Sequence, residues 1–163
     1  MAPTRTHSQP AGPIIRAATP SDLPAVLRIL ALLDPPGTPA MELPAAEQLF
    51  ERIRLHPDYT VWLVEENGEP VATYSLIILD NLGHRGKPAA VVESMAVVEA
   101  SRGLGLGRLM IAHAIEQARR RDCYKVALSS NIGRGDAHAF YEHLGFKRHG
   151  YSFVVDVGQG APP

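Results

Sequence analysis

The stretch ASRGLGLGRLM, residues 100–110, puts a glycine at every second position: Gly103, Gly105 and Gly107, with Arg102 and Arg108 among them. An apolar run, AAVVESMAVV (89–98), precedes it, and an apolar-periodic segment reaching Arg121 follows. This reads as strand, loop and helix. Bare backbone lets several N–H groups converge on one anion, and the helix N-terminus adds its partial positive charge. Two familiar phosphate loops do not fit. No Gly-Lys-Ser/Thr occurs anywhere, so the pattern G-x-x-x-x-G-K-[ST] is absent. The dinucleotide fingerprint G-x-G-x-x-G needs glycine where Arg108 stands, and an acid after the next strand where Ser129 and Ser130 stand. What fits is R-x-x-G-x-G over residues 102–107, a cradle suited to a pyrophosphate.

Working outward, the chain alternates elements. IIRAAT (14–19) is a short strand, and Thr19, Pro20 and Asp22 then open a helix with Leu23, Val26, Leu27 and Leu30 on one face. A second helix spans 44–55. YTVWLVEE (59–66), an Asn67-Gly68 turn and PVATYSLIIL (70–79) make a β-hairpin. After the strand 89–98 and the helix that Gly103–Gly107 open come a strand at 124–130, a helix at 136–144 closed by Gly145, and a final strand at 151–157. This order predicts a mixed α/β fold: one mostly antiparallel central sheet flanked by helices.

At 163 residues the chain suffices for one compact domain, expected over 13–157, with Pro/Gly-rich disordered tails at 1–12 and 158–163. A net charge of −1 builds in no general attraction for nucleic acid or an anionic membrane, so neither is expected as a partner. The single cysteine, Cys123, excludes an internal disulfide, and no apolar run reaches membrane-spanning length; a cytoplasmic location is expected. No H-E-x-x-H or cysteine pairing calls for a metal, and none is expected. Cys123 reads as a small apolar packing group, because nothing else of a Cys-His enzyme is present. Leu106, Met110, Ala114 and Ala118 form one helix row and read as core. Arg119–Arg121 complement the helix dipole at its C-terminus.

Taken together, VVESMAVVEASRGLGLGRLM, CYKVALSSN and AFYEHLGFKRHGYSF resemble three linked motifs of the GCN5-related N-acetyltransferases (GNAT), in order and over residues 14–156. The resemblance implies a GNAT-like acyl-CoA N-acyltransferase fold with acetyl-CoA as co-substrate. It implies that Arg102, Gly103, Leu104, Gly105, Leu106, Gly107 and Arg108 hold the pyrophosphate. It also implies that Met95, Ala96 and Val97 offer their backbone to the pantetheine arm, where their strand splays from its neighbour. Asn131 is similar to a polar residue that contacts the cofactor; it also suits a turn before Gly133.

N-acetylation requires a neutral amine, a held oxyanion and a managed thiolate. Glu93 is the one acid inside an apolar strand, and an acid at the corresponding family position is often the general base. Its apolar neighbours Val91, Val92, Met95 and Val97 suggest partial desolvation, which would favour the neutral acid. Tyr141 is similar to the family tyrosine that hydrogen-bonds or protonates the leaving thiolate. Acceptor contacts are expected from LLDPPGTPAM (32–41), from the loop bearing His84, Arg85 and Lys87, and from KRHGYSF (147–153). The implied reaction is acetyl transfer to a primary amine, of a small molecule, by direct attack in a ternary complex. A protein or peptide acceptor, and a non-catalytic acyl-CoA-binding module, are the alternatives. Dimerisation is common in the family, so a homodimer is also among the expectations.

Overall fold

The computed structural model describes residues 12–155, which fall in two compact units that divide after Leu128. The expected tails lie almost wholly outside the described residues.

The first unit is a five-stranded sheet with strands in chain order: β1 (Ile14–Ala17), β2 (Tyr59–Glu66), β3 (Glu69–Leu79), β4 (Ala89–Val97) and β5 (Lys125–Leu128). The first four pair antiparallel, and β5 runs parallel to β4. The mixed, mostly antiparallel sheet is therefore as predicted. Asn67 (φ 52°) and Gly68 (φ 83°) both take the left-handed conformation that a two-residue hairpin turn needs, which fixes the β2–β3 register.

Three helices belong to this unit: α1 (Leu23–Leu30), α2 (Leu43–Arg54) and α3 (Leu106–Arg120). The start expected at Thr19 is a 3-10 turn, Pro20–Asp22, that leads into α1. There the Asp22 carboxylate accepts hydrogen bonds from the Thr19 backbone N–H and from both terminal nitrogens of Arg16. Arg16 also pairs with Glu65 on β2, so β1, β2 and the entry to α1 are joined by one guanidinium.

Strand alternation gives the sheet two buried faces. Leu63 packs with Val26, Ile29 and Ala96 beneath α1. Its neighbour Val64 packs with Tyr74, Val92, Met110 and Ala114 beneath α3. Leu106, Met110, Ala114 and Ala118 are all buried, the helix row read from sequence.

In the second unit, α4 (Gly135–His143) ends at Gly145 (φ 90°), a left-handed position that favours glycine. The expected final strand is not formed over residues 151–155, and positions 156–157 lie outside the described residues. Tyr151, Phe153, Val154 and Val155 are exposed. β-prone composition makes a strand only where a ladder partner exists, and no described strand pairs with this segment.

Candidate active site

The feature that organises the site is a bulge in β4. Thr73 pairs with Ala96 and Ser75 with Glu93, so one residue of β3, Tyr74, stands against two of β4, Ser94 and Met95. Ser94 takes φ 53°, the left-handed conformation of an inserted residue. The insertion inverts the alternation. Ala90 and Val92 face the α3 cluster before the bulge, whereas Met95 and Val97 face it afterwards. Ala96 thereby joins the α1 face, and Glu93, cross-strand partner of Ser75, is exposed. The expected desolvation of Glu93 is thus corrected. Val92 turns away from it on the opposite face, and the carboxylate meets solvent.

Pairing of β4 with β5 stops at Val92–Leu128. Beyond it, Ala96 and Val97 pair with β3, Met95 lies in the bulge, and none of the three pairs with another described strand, which leaves their other backbone edge free. A one-turn 3-10 segment, Ala31–Leu33, packs against β4 and begins the expected acceptor loop, exposed throughout residues 31–42.

The strand runs into the glycine loop through a 3-10 turn, Glu99–Ser101. Gly103 (φ 79°) and Gly105 (φ 83°) are both left-handed, and Gly105 caps α3. A Cβ built on either would meet no atom within 4 Å, so these glycines serve backbone conformation and leave open space above the loop. The first bond into the helix runs from the Leu109 N–H to the Gly105 carbonyl. Among the described residues, the backbone N–H groups of 103–108 donate to no backbone carbonyl. Arg102, Leu104 and Arg108 are exposed, while Leu106 is buried and anchors the helix. Unpaired donors, an open surface and a helix N-terminus fit a pyrophosphate, and the free β4 edge fits the amide-bearing arm of CoA.

The loop carrying His84, Arg85 and Lys87 lies at the other end of β4, before Ala89. His84 stacks on Tyr124 with ring centroids 3.9 Å apart, and Lys87 Nζ lies 3.0 Å from Asp122 Oδ1. Arg85 is exposed in a left-handed turn (φ 62°). Four residues of extended strand separate this end from Glu93, about 13 Å. Two of the three side chains thus have partners within the unit. Cys123 is half-buried and packs on the core, and burial raises its thiol above the ordinary range, as suits a packing group.

In the second unit, Tyr141 lies on α4, half-buried, edge-on to Phe140 and Phe146. Burial raises its phenol above the usual tyrosine range and outweighs the opposing effect of Arg134, so the hydroxyl stays protonated. The Asn131 side-chain oxygen accepts the Gly133 N–H at 2.8 Å, closing a turn.

Two structural features escaped the sequence reading. The Ser94 bulge left only a faint trace, two adjacent polar residues inside an apolar run. The Tyr74–His113 pair joins residues 39 apart and left none.

A bulged strand with a free edge thus runs into a glycine loop at a helix N-terminus, an arrangement that can hold an extended amide-bearing chain beside a phosphate. The chain matches the Acetyltransferase (GNAT) family over residues 26–146. It belongs to that family, and is an acetyl-CoA-dependent N-acetyltransferase. Over 144 residues it is 29% identical to a glucosamine 6-phosphate N-acetyltransferase of Trypanosoma brucei brucei, covering 88% of this chain and 95% of the relative. Over 100 residues it is 33% identical to an aminoalkylphosphonate N-acetyltransferase of Salmonella typhimurium, 61% of this chain and 64% of that one. A solved structure from Agrobacterium tumefaciens strain C58 superposes with a TM-score of 0.83 at 38% identity, covering 88% of this chain and 99% of the other.

Proposed function

We propose that the protein acetylates the primary amine of a small molecule, by direct attack within a ternary complex. The observation that carries this reading is Glu93: the single acid of β4, exposed on the α1 face, one residue before the bulge and the free strand edge. Acetyl-CoA, when bound, supplies an activated thioester carbonyl. Residues 102–108 would hold its pyrophosphate through backbone N–H groups, with Arg102 and Arg108 adding charge. Met95, Ala96 and Val97 would fix its arm through the free β4 edge. Glu93 would take a proton from the ammonium of the acceptor, directly or through water, and so raise the fraction of reactive amine. Tyr141, kept as a neutral phenol by burial, would give its proton to the departing sulfur. Asn131 would shape the chain entering α4 through its turn.

A small acceptor is supported by the likeness to relatives named for glucosamine 6-phosphate and for aminoalkylphosphonates. Both named substrates pair an amine with a phosphoryl anion. Arg85, exposed and without an ion-pair partner among the described residues, is the cation of its loop left for such a group. The test is CoA release measured across a panel of amines that includes glucosamine 6-phosphate, 2-aminoethylphosphonate, their dephosphorylated counterparts and a lysine peptide. Turnover of a small amine is expected. Turnover of the peptide alone would transfer the reading to a protein acceptor, and CoA binding with no turnover of any amine would make the protein a binding module.

A further inference from the structure

Beneath α3 lies a polar cluster that the chemistry above does not use. Tyr74 is fully buried in the middle of β3, and its hydroxyl lies 2.6 Å from Nδ1 of His113 on α3. The other ring nitrogen, Nε2, lies 3.1 Å from the Gln117 side-chain nitrogen, one turn further along the helix. Trp62, cross-strand partner of Tyr74, meets the His113 ring edge-on at 4.5 Å, and its buried Nε1 has no partner among the described residues. Burial moves His113 below its ordinary range and Tyr74 above its own, so both are neutral. A neutral imidazole has one donor and one acceptor nitrogen, and the hydroxyl and the amide can each take the complementary part.

A buried hydroxyl and a half-buried imidazole cost solvation that a Phe–Leu pair would not, so packing alone does not explain them. What they add is direction. Apolar contacts let a helix slide or roll by a fraction of a turn, whereas a short hydrogen bond admits one register. The two ends of this bond are placed accordingly. Tyr74 is the residue that stands against the Ser94 bulge, and His113 follows the first residue of α3, Leu106, by seven positions, about 10 Å along the axis.

We propose that the Tyr74–His113 hydrogen bond is a positioning clamp, which holds α3 and its glycine loop in register with the bulged, free-edged stretch of β4. This rests on the reading that the loop takes the pyrophosphate and the strand edge takes the arm. A ligand that spans both elements feels their register, and a ligand that touches only the loop does not.

The experiment compares calorimetric affinities of CoA and of ADP for the full chain and for Tyr74→Phe, His113→Leu, His113→Asn and the Tyr74→Phe/His113→Leu pair. Tyr74→Phe removes one oxygen and keeps the ring, so the fold is retained, as circular dichroism and thermal midpoint would check. CoA affinity should fall about tenfold in Tyr74→Phe and in His113→Leu. The double variant should be no worse, because both remove one bond. ADP affinity should change less than twofold throughout, and His113→Asn, which keeps a polar group near the Nδ1 position, should recover part of the CoA loss. Folded Tyr74→Phe that binds CoA like the parent would overturn the clamp, as would equal losses for CoA and ADP. A parent chain that binds neither ligand would instead overturn the functional reading beneath it.

Discussion

Gly105 offers the sharpest separation of backbone conformation from phosphate charge. It holds φ 83° at the cap of α3, and a Cβ there meets nothing within 4 Å. Any side chain therefore carries the left-handed penalty, on the order of 1–2 kcal/mol, without a steric clash. Gly105→Gln measures that penalty plus bulk. Gly105→Glu adds a negative charge of the same shape above the unpaired N–H groups of 103–108. Two unit charges about 4 Å apart repel by ~1 kcal/mol in bulk water and ~4 kcal/mol at a protein surface. The Glu variant should then bind CoA about fivefold to several hundredfold more weakly than the Gln variant, with the difference shrinking as salt rises. Calorimetry at low and physiological ionic strength, on variants matched for thermal midpoint, reads both quantities. Equal CoA affinity for Gln and Glu would mean that no phosphate sits over this loop.

Tyr141→Phe should leave the helix packing intact and lower kcat on the order of a hundredfold, as one lost transition-state hydrogen bond is worth about 2–4 kcal/mol; unchanged kcat under chemistry-limited conditions removes the hydroxyl from the reaction. Glu93→Gln should depress kcat/KM most at low pH and recover partly at high pH, where free amine is abundant, with CoA affinity nearly unaltered. A pH–rate profile that overlays the parent's would assign proton removal to another group. Asp22 is held well below the usual carboxylate range, chiefly by its hydrogen bonds from Arg16, so its contribution to stability is complete above the ordinary carboxyl value and fades as pH falls beneath it. Asp22→Asn should cost about 1 kcal/mol in denaturant unfolding at neutral pH, the partly exposed Arg16 limiting the effect, and visibly less at pH 3. A gap independent of pH would show that the ion pair is not its source.

The parts of this fold that sequence reveals are those whose cause is local. Gly103 and Gly105 announce a left-handed loop because other residues are strained there, and Leu106, Met110, Ala114 and Ala118 announce a helix face because its period is fixed. Asn67-Gly68 fixes a hairpin for the same reason. The parts that stay hidden depend on partners far along the chain. The residues Tyr151–Val155 look like a strand, yet form none without a neighbouring ladder. His113 looks like any histidine on a helix until Tyr74 and Gln117 are found at its two nitrogens. Glu93 looks buried among valines, because a strand covered on both faces has no apolar period to betray an inserted residue.

That inserted residue deserves its place in the chemistry. Ser94 holds a conformation that costs a non-glycine residue about 1 kcal/mol or more. Without it, strict alternation would put Met95 and Val97 on the α1 face and Ala96 under α3, where two larger side chains now pack. The bulge keeps both sheet faces apolar after Glu93. It also bends β4 at the point where pairing with β5 ends, since a bulge locally increases twist. One strained residue thus accounts for the repacked core beyond it, and it lies directly beside an exposed acid and a free backbone edge. A serine that tolerates the strain, in place of a glycine that would relieve it, leaves the local turn less able to relax. If Glu93 is the base proposed above, that stiffness would help to hold it in place against the acceptor amine.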